Sequence, residues 1–141
     1  CYGQPFIVLK PQRYATMLAD RMSRVNCNAW LINTGWTGGK FGVGRRCPLK
    51  YTRAILDAIH DGSLAKAEFE TFAPGVFDLQ VPKQVNNVPD EILEPSKAWP
   101  DKAGFEAELK KLAGMFSEAF VKYEKDVKPE VLKAGPSSQR A

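Results

Sequence analysis

Apolar residues recur at helical spacing in two stretches of the first half of the chain. The stretch from Gln12 to Val25 places its apolar side chains along one face, and it follows Pro11, a residue favoured at the first helical turn. A second apolar stripe runs from Tyr51 to His60 and ends just before Gly62, which suits a left-handed helix cap. The pattern therefore predicts two amphipathic helices.

A longer helical pattern occupies the last third. It begins at Asp101 or Phe105 and ends at Tyr123, with alternating charges on its polar positions, as on a solvated helix face. Pro129 is expected to start a last short helix that ends at 135–136. Residues 137–141 are expected to form a loose tail.

Three short segments have the pattern of strands. Phe6–Leu9 and Ala29–Ile32 are continuous apolar runs, typical of buried strands, whereas Val76–Val81 alternates like a half-buried strand. The segment Val85–Pro100 is rich in Asn, Pro and acidic residues and is expected to be irregular. A strand, helix, strand order with short links predicts an α/β arrangement.

Composition and charge narrow the class of protein. The apolar fraction of 44% favours a globular chain. The 20 basic residues are interleaved with 16 acidic ones, and only the stretch from Lys40 to Arg53 concentrates positive charge, with no acidic residue in it. That local positive charge attracts anions but does not form the broad basic face of a nucleic-acid binder. No apolar run approaches the length of a membrane span, so we expect no membrane association.

The three cysteines, Cys1, Cys27 and Cys47, show no CxxC spacing. This argues against a zinc site or a disulfide framework and favours a reducing compartment. The chain opens on Cys1 and a strand-like run follows at once, which is the pattern expected within a longer polypeptide.

Residues 33–46 contain five glycines in fourteen positions. This predicts a loop without regular structure, whose backbone can come close to a neighbouring group. A glycine-rich loop between a strand and a helix is a common way to hold phosphates. This loop is not a Walker P-loop, because its spacing is one residue short and Phe41 stands where Ser or Thr must bind magnesium. On spacing alone, a mobile surface loop is an equally good interpretation.

The residues after the glycines offer candidate ligand contacts. The guanidinium groups of Arg45 and Arg46 can bind phosphate oxygens or lie against an adenine ring. Thr52 can read a base edge, although a helix cap is its commoner role. Arg53 is expected to make an outward salt bridge. The single histidine, His60, ends a helix and is not expected to bind a metal.

Several segments resemble one enzyme family in order and in spacing. They are Cys1–Phe6, Ala29–Gly38, Gly44–Ile59, Phe77–Pro82, Ile92–Pro95 and Ala134–Pro136. Together they resemble the carboxy-terminal portion of ATP-dependent phosphoenolpyruvate carboxykinases. The run Arg46-Cys47-Pro48-Leu49-Lys50-Tyr51-Thr52-Arg53 is most similar to the fungal branch of that family.

The resemblance implies a reaction in which oxaloacetate and ATP give phosphoenolpyruvate, CO2 and ADP in gluconeogenesis, with Mg2+ and Mn2+ as metals. It implies that Arg46, Cys47 and Thr52 contact the adenosine end of ATP, with Cys47 using its backbone. Lys40 and Arg45 receive no role from it. The family's P-loop, metal ligands and oxaloacetate-binding arginines precede the matched portion, so no catalytic residue and no metal ligand is expected in this chain.

As a whole, the chain is expected to be α/β and to form part of a carboxy-terminal nucleotide-binding domain, a mixed sheet with flanking helices. We assign residues 1–136 to that domain and residues 137–141 to a flexible tail. The expected partner is the remainder of the carboxykinase chain, and the sequence does not decide whether the protein forms a homo-oligomer. The expected location is the cytoplasm. The alternative is a non-catalytic module that binds adenine nucleotides or a protein. The segment alone is expected to be inactive.

Overall fold

The computed structural model of the chain describes residues 3–136, so the predicted tail lies outside the described residues. These residues divide into two units. One combines residues 3–32 with 120–134, and the other combines residues 33–119 with 135–136. In chain order, the helices and strands of the described part are α1 (Pro11–Val25), β1 (Trp36–Thr37), β2 (Arg45–Arg46), α2 (Leu49–His60), β3 (Phe69–Phe72), β4 (Leu79–Pro82), α3 (Asp90–Leu93), α4 (Pro95–Ala98), α5 (Lys102–Phe120) and α6 (Pro129–Lys133).

Helix α1 confirms the first helical prediction. Pro11 occupies the first helical turn, where its missing N–H is no loss, and Asn26 ends the helix in the left-handed conformation with a φ of 47°. No residue of α1 is buried. The helix thus forms from local signals, while its apolar face stays exposed.

The two buried strands predicted in the first unit are wrong. Gln4–Phe6 forms a short 3-10 turn, residues 7–10 form no strand, and the Val8 side chain is 88% exposed. Ala29–Ile32 is also irregular, and Leu31 is 95% exposed. A strand exists only where a second strand satisfies its backbone groups. Within residues 3–136 neither segment forms a strand.

Helix α2 confirms the second helical prediction and begins two residues earlier than expected, after Pro48. It ends at His60, and Gly62 follows with a φ of 77°, as the left-handed cap predicts. Beyond the helix, Ser63 donates its backbone N–H to the Asp61 carboxylate over 2.8 Å. Hydrogen bonds from the side chain and backbone of Ser63 hold the pKa of Asp61 below its ordinary value of 3.8.

Strands β3 and β4 form an antiparallel hairpin whose register pairs Phe69 with Pro82 and Phe72 with Leu79. The sequence did not predict β3, and it placed the start of β4 too early. Residues 74–77 form a turn, in which the Gly75 N–H donates to the Asp78 carboxylate over 2.7 Å. The half-buried strand is therefore confirmed only for its second half.

The segment 85–100, expected to be irregular, is more ordered than predicted. Val85 and Val88 form an isolated bridge, and the two short helices α3 and α4 follow. Pro89 precedes the first residue of α3, and Pro95 is the first residue of α4. From composition alone, the prolines of this segment indicated a loop. In the structure, they instead fix backbone angles that suit the starts of helices.

Helix α5 packs on the β3–β4 hairpin and the turn that joins its strands. Asp101 accepts a hydrogen bond from the Gly104 N–H over 3.0 Å and thereby caps the helix start. Phe105 meets Phe72 edge to face, with 6.4 Å between ring centroids, and Phe116 meets Phe77 at 6.0 Å. The helix ends at Phe120, and a 3-10 turn, Val121–Asp126, continues through the predicted end at Tyr123.

The core of the described part is small. Its buried apolar residues are Ala58, Leu64, Val76, Val85, Val88 and Ala113. None of the larger side chains in residues 3–136 is fully buried. The secondary structure is thus helical with two small antiparallel sheets, and the described residues form no mixed sheet.

Candidate functional site

The glycine-rich stretch forms a β-hairpin. Trp36 pairs with Arg46 and Thr37 pairs with Arg45, in an antiparallel arrangement. At the tip, the Lys40 carbonyl accepts hydrogen bonds from the N–H groups of Val43 at 3.0 Å and Gly44 at 2.9 Å. The expectation of a loop without regular structure is therefore wrong at its two ends, because backbone pairing orders them.

Close backbone approach explains two of the glycines. A Cβ on Gly44 would lie 2.6 Å from the Thr37 carbonyl oxygen and would also collide with the Gly39 carbonyl. Gly38 has a φ of 75°, and a Cβ there would lie 3.3 Å from the Ala98 carbonyl oxygen. The first contact closes the hairpin on itself, and the second brings it against α4.

Arg46 lies on the same face of the hairpin as Trp36, because directly opposed residues of an antiparallel pair share a face. The Trp36 ring meets Phe41 edge to face at 5.1 Å, and these side chains are 50% and 80% exposed. Arg46 is exposed and makes no ion pair with any residue in the range 3–136. This face therefore presents an uncompensated guanidinium group beside two aromatic rings.

Arg45 has a different environment. Its Nη2 donates to Glu91 Oε1 of α3 over 2.9 Å, and the two side chains are 70% and 46% exposed. The contact joins the hairpin to a helix that lies 46 positions further along the chain. Lys40 is exposed at the hairpin tip.

Cys47 is half-buried and follows β2 directly. Its N–H donates to the Gly35 carbonyl over 2.9 Å, which extends the hairpin by one hydrogen bond. Its thiol is free, and the sulfur lies 3.9 Å from the Pro48 carbonyl oxygen. Since the N–H is already used, the Cys47 carbonyl is the backbone group left for a ligand.

Thr52 is the fourth residue of α2 and is half-buried. The cap interpretation of Thr52 is wrong, because Pro48 occupies the N-cap position. Lys50, two residues earlier, places its ammonium 4.8 Å from the centre of the Tyr51 ring. An open groove of about 590 Å³ lies beside these residues, lined by Lys50, Tyr51 and residues 84–90.

The three predicted site residues thus follow one another from the end of β2 into the second turn of α2. The salt bridge expected for Arg53 is absent from the described part of the chain, where Arg53 is simply exposed. His60 is the exposed last residue of α2.

Across residues 3–136, no group of three or more His, Cys, Asp or Glu side chains could hold a metal ion. Within the same range, every helix is too short or too polar to cross a membrane.

Sequence reasoning missed Glu91 and Trp36. Glu91 stood in a segment expected to be irregular, and its contact with Arg45 is long-range, so no local signal could have revealed it. Trp36 had a signal in principle: a tryptophan within a run of glycines is a large apolar group with little chain around it to cover it.

A glycine-rich segment that leads directly into the N-terminus of a helix is one of the arrangements by which proteins bind anions such as phosphate. The chain belongs to the phosphoenolpyruvate carboxykinase family, because the model of that family matches residues 1–91. The resemblance found in the sequence is thereby confirmed.

Relatives in several organisms agree with the family. The phosphoenolpyruvate carboxykinase (ATP) of Candida glabrata is 56% identical over 96% of the chain, which corresponds to 25% of that relative. The proteins of the same name from Emericella nidulans and Neurospora crassa are each 55% identical, over 99% and 96% of the chain and 23% and 22% of the relatives. The likeness to the fungal branch is confirmed, and the chain spans about a quarter of the length of these curated relatives.

Proposed function

We propose that the protein to which this chain belongs is an ATP-dependent phosphoenolpyruvate carboxykinase. It converts oxaloacetate and ATP to phosphoenolpyruvate, CO2 and ADP, a step that serves gluconeogenesis in the cytoplasm. One observation supports this proposal above the others: identity of 56% over 96% of the chain with a relative of that name.

In this proposal the chain supplies the adenosine side of the ATP site. The exposed guanidinium group of Arg46 stacks on the adenine or reaches the phosphates, and no carboxylate of the described residues competes for it. The Cys47 carbonyl accepts a hydrogen bond from the nucleotide, since the N–H of that residue is bound to Gly35. The Thr52 hydroxyl contacts the base edge from the second turn of α2.

The metal ions and oxaloacetate belong to other parts of the enzyme. Phosphoryl transfer by a carboxykinase needs divalent cations, which neutralise the charge that develops on the phosphates. The described residues offer no cluster of ligands that fits such an ion. The resemblance to the family places the ligands of Mg2+ and Mn2+ outside the matched portion, so other parts of the enzyme would hold these ions, and the isolated segment would be inactive.

Residues 1–136 would form part of the nucleotide-binding domain, with the mixed sheet completed by the remainder of the enzyme. The large exposed surface of the chain supports the view that the remainder of the enzyme covers part of it. The chain exposes 10947 Å², whereas a self-contained folded protein of 15.7 kDa exposes about 7,300 Å². Even two separate folded units with the same total mass would expose only about 8,700 Å². The excess includes the apolar segments Phe6–Leu9 and Ala29–Ile32, which the rest of the enzyme would cover.

The test is an assay of the full-length protein that contains this chain. Phosphoenolpyruvate should form from oxaloacetate in the presence of ATP and divalent cations, and GTP should replace ATP poorly. An absence of phosphoenolpyruvate under these conditions, with ATP still bound in calorimetry, would favour the alternative of a non-catalytic adenine-nucleotide-binding module. The isolated segment should show neither turnover nor micromolar affinity for ATP.

A further inference from the structure

We propose that Arg45 and Glu91 form a positioning pair that fixes the glycine-rich hairpin so that Arg46 faces the nucleotide. Arg45 is then not a nucleotide ligand, although it is a neighbour of one. The inference rests on the proposed function, because it assigns a role within the adenosine side of the ATP site. It gives a task to two residues that the family resemblance left without one.

The alternation of side chains along a strand separates the two arginines. Successive residues of a strand point to opposite faces, so Arg45 and Arg46 cannot serve the same side of the hairpin. The structure shows this directly at a recess of about 340 Å³ between the hairpin and the α3–α4 segment. Thr37 and Arg45 line that recess, whereas their neighbours Trp36 and Arg46 do not.

The recess is not suited to a phosphate, because its charged groups are already compensated. Arg45 is bound to Glu91 at 2.9 Å. Lys97, the other cation of the lining, lies 3.9 Å from both Glu70 and Glu94. A phosphate site would need unpaired cations in the recess. Arg46, on the other face of the hairpin, is such a cation, whereas Arg45 and Lys97 are not. The arrangement is that of a contact between two parts of the fold.

A second contact supports the same role. Gly38 approaches the Ala98 carbonyl so closely that a Cβ would lie 3.3 Å from its oxygen, so the hairpin lies against α4 at one end of the recess. The Arg45–Glu91 pair holds it against α3. Two contacts at different points restrict rotation of the hairpin, and that rotation would move the Arg46 side chain away from the ligand.

The pair is partly exposed, which limits the size of the effect. Exposed ion pairs contribute little free energy, so loss of the Glu91 charge should change nucleotide affinity by only about two- to fivefold. Charge reversal adds repulsion between two cations and should have the larger effect. Because the pair acts through Arg46 on ATP, the KM for ATP should change more than kcat or the KM for oxaloacetate.

The experiment compares variants of the full-length enzyme: Glu91→Gln, Glu91→Arg, and the double variant Arg45→Glu with Glu91→Arg. We expect a rise of about twofold in the KM for ATP for Glu91→Gln, about fivefold for Glu91→Arg, and recovery in the double variant. The matched control is Glu68→Gln, which removes one charge from the comparable Lys83–Glu68 pair at 3.1 Å. That pair lies at the open end of the β3–β4 hairpin, and neither residue lines the recess. Its kinetic constants should equal those of the wild type.

Salt provides a readout that a merely structural defect would not move. At about 1 M KCl the Debye length falls to about 3 Å, so the difference between the wild type and Glu91→Gln in the KM for ATP should shrink. A Glu91→Arg variant with normal thermal stability and an unchanged KM for ATP would overturn the inference. So would a double variant that folds but shows no recovery.

Nucleotide affinity, measured in parallel by calorimetry on the same variants, separates this inference from the proposed function. A wild-type protein without carboxykinase turnover would contradict the proposed function alone, since the affinity series would still follow the pair. Normal wild-type turnover with a flat affinity series would overturn the positioning role alone.

Discussion

Trp36 lies directly opposite Arg46 in the β1–β2 hairpin, one step from the pairing of Thr37 with Arg45. This register gives the hairpin two faces with different surroundings. On one face, a free guanidinium group stands beside an exposed tryptophan. On the other, the guanidinium group of Arg45 is bound to Glu91. Two adjacent arginines that look equivalent in the sequence are therefore expected to respond differently to substitution.

The first prediction concerns Arg46→Ala in the full-length enzyme. The KM for ATP should rise by about tenfold or more, because charge-assisted contacts contribute roughly 1.5–3 kcal/mol. Steady-state kinetics with ATP as the varied substrate measure the change. The matched control is Arg24→Ala, which removes an exposed arginine from the last turn of α1 and should leave the KM unchanged. A normal KM for ATP in a folded Arg46→Ala variant would rule out this residue as an ATP contact.

Thr52 gives the second prediction. Thr52→Val keeps the shape of the side chain but removes its hydroxyl, whose hydrogen bond contributes about 0.5–1.5 kcal/mol, equivalent to roughly two- to thirteenfold in affinity. The KM for ATP should rise within that range, while Thr52→Ser should remain close to the wild type. The preference for ATP over GTP, measured as the ratio of kcat/KM values, should fall in the valine variant. Equal preference in both variants would show that Thr52 does not read the base.

The third prediction separates the backbone of Cys47 from its side chain. Cys47→Ile keeps the N–H that donates to the Gly35 carbonyl, and it should change the KM for ATP by less than about twofold. Cys47→Pro removes that N–H, and the proline ring also restricts Arg46 before it, so the KM should rise strongly. The comparison requires both variants to be folded, which circular dichroism checks. A large effect of isoleucine would contradict the backbone role.

The fourth prediction compares the same substitution at two glycines. Gly44→Ala should disrupt the hairpin, since its Cβ would lie 2.6 Å from the Thr37 carbonyl oxygen. Gly114→Ala, inside α5, places its Cβ more than 4 Å from every described atom other than the neighbouring residues and the helix's own backbone, and it should raise the free energy of unfolding by about 0.5–1 kcal/mol. Thermal unfolding and ATP kinetics on both variants test the pair. Wild-type kinetics for Gly44→Ala would contradict the close packing of the hairpin.

The helices could be predicted from the sequence because their signals are local. Pro11 and Gly62 marked the start of α1 and the end of α2, and the structure places both where the pattern did. The order of the candidate site could also be anticipated, since Arg46, Cys47 and Thr52 are neighbours along the chain. Local spacing and backbone preference decide such features, and both are visible in one sequence.

The predictions that were wrong, and the features that were not predicted, concern contacts between residues far apart in the sequence. Leu31 lies in an apolar run that looks like a buried strand, yet it is 95% exposed because no strand among the described residues pairs with it. The contact of Arg45 with Glu91 joins positions 46 apart, and no periodicity encodes it. The β1–β2 hairpin was not predicted, because glycines are unfavourable in strands in general. Here they permit the two backbones to pair closely.

The small core of the described residues has a consequence for the thermal unfolding of the full-length protein. No large side chain is fully buried in residues 3–136, so under the proposed function we expect most of the apolar contact that stabilises this segment to come from the rest of the full-length protein. Heating the full-length protein should then produce no separate calorimetric transition for this segment. Its amide protons should instead exchange with solvent in step with those of the domain that covers it.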